Sequence, residues 1–312
     1  MKNHYVPQFY LKNFSINEKP QIVYAYRRGS DPFEVNVKNI AAKNDLYIYT
    51  DKNTGKKNDE IEKMFSWLEG LTKPIIEKII NGSHLLDLSN KGHNVLTEFI
   101  AYLHVRNLSQ RERQKNIIAE FNKIQLKTMA SDKKNFIKTL KEATERIDIG
   151  NEAEVEELRQ SILNFDEHYK VEYGKKNNDF FLKQALELGL KITPIIFNKE
   201  WHIIDSAGCG RFFITSDNPV TLIRPKALPG FYGVGIENGF IALPISPTKC
   251  IFLKNGNSDS TIKSATRASV DDINHHIMFF AHKFVYSNIL SKNFQSEFNL
   301  TKEGQSEKVV VS

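Results

Sequence analysis

The sequence predicts an α+β fold: a mixed, largely antiparallel sheet from N-terminal and C-terminal strands, with a central helical block. Three observations predict it. Short runs rich in Val, Ile, Tyr and Phe open the chain, apolar residues recur at helical spacing through its middle, and short apolar runs separated by Gly, Pro and Asn return after Trp201. We read a single α+β domain over 1–290, with N-terminal strands over 1–57, a helical block over 58–198 and C-terminal strands and a helix over 199–290, then a tail over 291–312.

Gln21 to Tyr26 and Phe33 to Val37 flank the turn cluster Gly29-Ser30-Asp31-Pro32, a hairpin signature. Leu46 to Tyr49 reads as a third strand before the polar loop Asp51 to Asn58. Asn58-Asp59-Glu60-Ile61 offers an N-cap and an acidic first turn for a helix over Asp59 to Ile80, closed by Asn81-Gly82 and kinked or divided by Pro74. From Gly92 to Ala130 apolar residues recur at helical spacing (Val95, Phe99, Leu103; Ile117, Phe121, Ile124), predicting a long helix that bends near Asn107 to Ser109. Helices over Lys133 to Arg146 and Glu152 to Asn164 follow, then one from Asp179 that Gly189 and Pro194 interrupt. Trp201 to Asp205, Arg211 to Ser216, Val220 to Ile223, Phe240 to Leu243 and Lys249 to Leu253 read as strands. A helix over Val270 to His282 and a strand over Phe284 to Ser287 complete the domain. The tail beyond Ser291 is polar and is expected to be mobile at its end, despite the β-prone Val309-Val310-Val311.

Composition narrows the function classes. With 312 residues, 40% hydrophobic and 26% charged, and a mean hydropathy of −0.41, the chain suits a water-soluble globular protein with a sizeable core. Cys209 and Cys250 have no metal-type spacing, and the opening MKNHYVPQFYL lacks the apolar run of a signal peptide, so a cytoplasmic location is expected. The densest apolar run, Ile192 to Phe197, is far short of a spanning helix, so no membrane association is expected. The formal net charge of +6 is concentrated: His104 to Lys127 carries Arg106, Arg111, Arg113, Lys115, Lys123 and Lys127 against Glu112 and Glu120. Asp148 to His168 is acidic. Either these are two solvated helix faces of opposite sign, or the basic stretch is a nucleic-acid surface.

Candidate site residues come from local chemistry. In His4-Tyr5-Val6-Pro7-Gln8, Pro7 stiffens an extended segment carrying an imidazole and a carboxamide, flanked by apolar residues that should tie the terminus down. His4 is then a functional group or a histidine satisfied by a backbone carbonyl. Phe213-Ile214-Thr215-Ser216-Asp217-Asn218-Pro219-Val220 puts Asp217 at a strand tip whose direction Asn218-Pro219 fixes, as a site carboxylate or as an Asx-turn cap. Glu62 and Glu69 share one helix face with Phe65 between them, and Arg106 follows Phe99 and Leu103 on an apolar stripe. A buried Arg needs a partner, so the pair is a structural bridge or an anion-binding group.

Other motifs carry less. His275, His276 and His282 lack metal-binding spacing, and Gly230, Gly233 and Gly235 form no phosphate-binding fingerprint. Cys209 has no identifiable base, and Ser246 reads as a turn residue.

H-Y-V-P-Q-F-Y-L-x-N-F at residues 4–14, with F-I-T-S-D-N-P-V at 213–220 and P-I-S-P at 244–247, resembles the bacterial HYVPQ-signature family of unknown function (DUF no. 4238) over residues 1–290. The positions that match are His4, Pro7, Gln8, Glu62, Glu69, Arg106, Asp217, Asn218 and Pro219. By association the resemblance implies a role in bacterial defence or as a toxin-type effector.

If His4, Gln8, Arg106 and Asp217 converge as catalytic residues, supported by Glu62, Glu69 and Asn218, the set fits hydrolysis at phosphorus: a His acid or base, carboxylates able to hold Mg²⁺ or Mn²⁺, and an Arg for developing negative charge. The expected activity is a phosphodiester hydrolase acting on nucleic acid, RNA above all, guided by Arg111, Arg113, Lys115, Lys123 and Lys127. The alternatives are a hydrolase of a small nucleotide such as NAD or a cyclic nucleotide, and a non-catalytic sensor or protein-interaction module.

Overall fold

The computed structural model describes residues 2–51, 54–85, 88–143, 151–173, 178–224, 235–256 and 260–301. The chain is α+β, with mainly antiparallel sheets, as its patterning requires. It forms two compact units, Met1–Arg111 with Asn178–Ser312, and Glu112–Asn177. The helical block is therefore divided between them.

The first unit begins with β1 (Lys2–His4), then α1 (Gln8–Lys12). Pro7, with φ −59° and ψ 140°, stands at the helix N-cap, so the opening segment is strand, turn and helix and not extended throughout. The hairpin is β2 (Ile22–Arg27) and β3 (Ser30–Asn36). Its turn is tighter than expected: Arg27 already pairs with Ser30, and Gly29 supplies the positive φ of +71°. Pro32 is tolerated because β3 is an outermost strand. β4 (Ala42–Asn44) pairs with β1. The strand expected over Leu46 to Tyr49 reduces to β5 (Tyr49–Thr50) against β6 (Lys57–Asn58), because Leu46 and Tyr47 turn inward and are buried.

Three helices of this unit pack together: α2 (Glu60–Ile80), α3 (Asn90–Val105) and α8 (Asn178–Phe197). Pro74 does not divide α2. Gly189 and Pro194 do not interrupt α8 either; Gly189 lets α3 approach, since a Cβ there would lie 2.5 Å from Tyr102 Cε1. The long helix expected from Gly92 to Ala130 is two. It breaks at Arg106-Asn107, and the Asn107 carboxamide accepts from Gln110 N at 2.9 Å at the start of α4 (Leu108–Ser131).

The strands of the first unit make two principal sheets, where one was expected. β8 (Thr215–Ser216), the remnant of the strand expected from Arg211, joins β13 (Phe284–Ser287) in the order β3-β2-β13-β8. The second sheet holds β7 (Glu200–Asp205), β9 (Thr221–Ile223), β10 (Phe240–Pro244), β11 (Lys249–Lys254) and β12 (Thr261–Ser264), ordered β12-β7-β11-β10-β9. Among the described residues, only β12 runs parallel to its neighbour. α9 (Arg267–Phe280) precedes β13 and starts on a Thr266–Ser269 capping box.

The first part of the tail carries an element the sequence reading did not assign. Residues 292–300 form α10 (Lys292–Leu300), which buries Phe298 completely under the Arg28 guanidinium, 4.2 Å from the ring centroid. Arg28 also donates to the Thr301 and Met278 carbonyls at 2.8 Å. Phe298→Ala should cost about 3 kcal/mol of unfolding free energy, read from the urea midpoint, where an undocked helix would show no change. Val309 to Val311, Gly230, Gly233, Arg146 and Asp148 lie outside the described residues.

In the second unit, α5 (Lys133–Ala143), α6 (Glu152–Leu163) and α7 (Phe165–His168) accompany the later turns of α4, and bury Ala130 and Phe136. Ile117, Phe121 and Ile124, whose spacing predicted the helix, are 50%, 58% and 44% exposed.

Candidate functional site

His4 ends β1 and Gln8 begins α1, so the chain folds the imidazole back toward the carboxamide. His4 Nε2 lies 3.2 Å from the Lys38 carbonyl and therefore carries the hydrogen. Nδ1 is left as the lone-pair nitrogen and accepts from Gln8 Nε2 at 3.5 Å. Burial pushes the imidazole below its ordinary value of 6.5, against the pull of the Lys38 carbonyl. Neutral His4 is thus held in one tautomer. The tied-down terminus is real: Tyr10, Leu11 and Phe14 are fully buried, and Tyr10 donates its hydroxyl to the Pro244 carbonyl at 2.5 Å.

Facing this segment are α2 and the end of α3. Arg106 caps α3, its side chain only 3% exposed, and donates from Nη2 to Glu69 Oε1 at 2.8 Å. Its guanidinium stacks over Phe65, 4.9 Å from the ring centroid. Tyr47 donates to the Arg106 carbonyl at 3.2 Å and packs edge-on against Phe65. Glu62, one face along from Glu69, is held above the ordinary carboxylate range by burial; Asn3 lowers it and Glu69 raises it further. The Glu69 and Arg106 charges both act on His4. His4, bonded to Gln8, thus lies within electrostatic reach of the Glu69–Arg106 pair, and Glu62 within reach of the same pair, with Asn3 acting on Glu62 and Tyr47 bonded to Arg106. Arg106 Nε is buried and has no acceptor.

Asn218 belongs to an adjoining set. Its Oδ1 accepts from Asn107 Nδ2 at 2.9 Å, and its own Nδ2 donates to the Phe280 carbonyl at 3.0 Å, tying the α3–α4 break to the end of α9. Asp217 is completely buried and accepts three backbone N–H groups: His282 on Oδ1 at 2.8 Å, and Lys283 and Phe284 on Oδ2 at 2.8 and 3.1 Å. Burial pushes its carboxyl up while these donors pull it down. This is the geometry of a cap, and it does not aim the carboxylate at a ligand. The charge of Asp217 acts on Tyr5, beside His4, and on the buried Tyr286.

The basic residues meet a different fate. Lys115 pairs with Glu112 on its own helix at 2.9 Å, while Lys123 and Lys127 pair with Asp166 of the acidic stretch at 2.5 and 3.4 Å, so the lysines of α4 are neutralised from within the helix and by that stretch. This is the first of the two readings of the charge segregation. Arg113 is exposed, and Arg111 lies 5.6 Å from the Phe181 ring centroid in the first unit. As for Mg²⁺ or Mn²⁺, no group of three or more His, Cys, Asp or Glu gathers among the described residues. Glu62 and Glu69 are the two carboxylates the cluster can offer, a number that suffices for Mg²⁺ when substrate phosphate completes the sphere. Ser246 accepts from Thr248 N and Lys249 N as a turn residue. No helix among the described residues is long and apolar enough to cross a membrane.

The model of a family described as "Protein of unknown function (DUF4238)" matches residues 2–290. The chain belongs to this family. No curated protein and no solved structure matches it. Within this DUF4238 chain, Tyr47, Asn3 and Asn107 are the site residues that sequence reasoning missed. Asn107 carried a signal, a polar residue following a buried Arg where an apolar helix stops; Tyr47 carried none beyond an aromatic in a short apolar run.

Proposed function

We propose that the chain is a phosphodiester hydrolase acting on nucleic acid, RNA above all, through the His4–Glu62–Glu69–Arg106 cluster. The observation that carries this reading is a buried guanidinium with an unpartnered Nε beside a neutral histidine of fixed tautomer. Arg106 suits the charge developing on a phosphoryl oxygen, displacing or sharing Glu69. RNA supplies its own nucleophile. The 2′-hydroxyl displaces the long Gln8 bond to His4 Nδ1, which takes its proton; the 2′-oxygen bonds to phosphorus, and the 5′-oxygen leaves with a proton from Glu62, whose burial favours the protonated form. The Lys38 carbonyl on Nε2 keeps the imidazole aimed. Such an activity also suits a bacterial defence or toxin-type effector.

The test is cleavage of labelled RNA, single-stranded DNA and duplex DNA, with Mg²⁺, Mn²⁺ or EDTA, by wild type and His4→Ala. RNA cutting should fall by about 100-fold or more in the variant. In wild type, kcat/KM should decline as pH falls through an apparent value below 6.5, because the base must be neutral. Intact RNA and DNA after incubation with folded wild type under all metal conditions overturns the proposal.

The neutralised lysines of α4 favour a second reading, turnover of a small nucleotide at the same cluster. Charge reversal at Arg111, Arg113 and Lys115 separates the two: it cripples cutting of a polymer and spares a small substrate.

A further inference from the structure

A second polar assembly lies in the five-stranded sheet and shares no residue with the His4–Arg106 cluster. The alternation of β7 puts Glu200 and His202 on one face, while Trp201 and Ile203 enter the main core from the other. Register brings their partners: Glu200 is opposite Lys254 on β11, and His202 is opposite Thr261 on the parallel strand β12. His202 Nε2 lies 2.7 Å from Glu200 Oε1, and His202 Nδ1 lies 2.7 Å from Thr261 Oγ1. Lys254 Nζ is 3.1 Å from the same Glu200 oxygen. Glu200 is 5% exposed and His202 1%.

These contacts set the direction of the chain of hydrogen bonds. A carboxylate facing an ammonium is ionised and only accepts, so Nε2 carries the imidazole hydrogen. Nδ1 is then the lone-pair nitrogen, and the Thr261 hydroxyl donates to it. A hydroxyl, a base and an orienting carboxylate in this order make the arrangement that activates an oxygen nucleophile.

Two further observations set the trio apart from ordinary core filling. Its neighbours on the sheet, Ile204 and Phe252, belong to an apolar cluster, where a buried charge is costly and well-packed hydrophobic residues would serve stability as well. Space is also reserved for the carboxylate: a Cβ on Gly256 would sit 2.0 Å from Glu200 Oε2. Thr261 lies on the outermost strand and is half-buried, so a small reagent can reach it while His202 stays dry.

We propose that Thr261, His202 and Glu200 form a second reactive site, in which the Thr261 hydroxyl is the nucleophile toward small activated acyl esters. Oγ1 bonds to the acyl carbon as its proton passes to His202 Nδ1, and the alcohol leaves with that proton. Water, deprotonated by the same nitrogen, then releases the acid and restores Thr261.

A fluorophosphonate probe tests this without knowledge of the natural ester, since Oγ1 bonds to phosphorus and fluoride departs with the proton. Full-length protein is incubated with the probe and the adduct located by peptide mass mapping. One adduct on Thr261 is expected, retained in Thr261→Ser, absent in the nearly isosteric Thr261→Val, and formed about 100-fold more slowly in His202→Gln. If His202→Gln does not fold, Glu200→Gln replaces it and must also slow labelling. The proposal is overturned if folded wild type and Thr261→Ser both stay unlabelled, if the adduct maps elsewhere, or if labelling proceeds at the wild-type rate without His202 or the Glu200 charge. None of these readings depends on nucleic-acid cleavage.

Discussion

Arg106→Ala should abolish nucleic-acid cleavage and lower the unfolding free energy by about 3 kcal/mol, the low end of what breaking a buried ion pair costs. The low end applies because Glu69, the partner left behind, keeps a quarter of its side chain in contact with solvent. The loss has other parts: the stacking on Phe65 disappears, and Glu62, already held up by burial and by the Glu69 charge, loses the opposing influence of the Arg106 charge. A double variant separates fold from chemistry. Arg106→Met with Glu69→Leu removes both charges at once, so stability should return to within about 1 kcal/mol of wild type, whereas cleavage should stay absent. Urea unfolding and the RNA assay on the same three proteins check this. Cleavage surviving in the double variant would show that the guanidinium is a structural brace alone.

How far such a site is legible in sequence depends on the distance over which its parts are correlated. Arg106 was visible because Phe99 and Leu103 place it on an apolar stripe, and the seven-residue spacing of Glu62 and Glu69 supplied its partner; both are relations within one helix. The strand Phe284–Ser287 emerged with its observed ends for the same local reason. Contacts between distant segments left no such mark. The Asn107–Asn218 bond spans 111 positions, and the Tyr47 hydroxyl meets the Arg106 carbonyl 59 residues away. The trio in the second sheet went unread: the expected strand began at Trp201, one residue short of Glu200, which pairs with Lys254 as the first residue of β7. Thr261 was not legible either, because β12 joins by a parallel edge pairing that its short sequence does not announce. In α10, two aromatic residues four apart, Phe294 and Phe298, were the only sign of a docked helix in an otherwise polar stretch.

Asp217→Asn is the substitution expected to separate holding from reacting. The wild-type carboxylate accepts three N–H groups from consecutive residues, 282–284, and so fixes the chain entering β13 against the end of β8. Asparagine has one acceptor oxygen. Whichever way its carboxamide turns, the amide nitrogen must face a backbone donor, so at least one charge-assisted bond becomes a donor–donor conflict in a site with no exposure to water. Hydrogen bonds to charged groups contribute about 1.5–3 kcal/mol each, so a loss of about 3 kcal/mol is expected, seen as a lower Tm and urea midpoint. Per folded molecule, cleavage should remain near the wild-type rate, because neither oxygen is free to meet a substrate. His4→Ala should differ in activity, which is lost, with a stability loss of about 1–3 kcal/mol from its two weak bonds. Wild-type stability combined with lost cleavage in Asp217→Asn would move the reacting centre to the strand tip. With the expected result, Asp217 is the anchor that fixes the strand beside Asn218, and Asn218 in turn holds the helix break from which Arg106 projects.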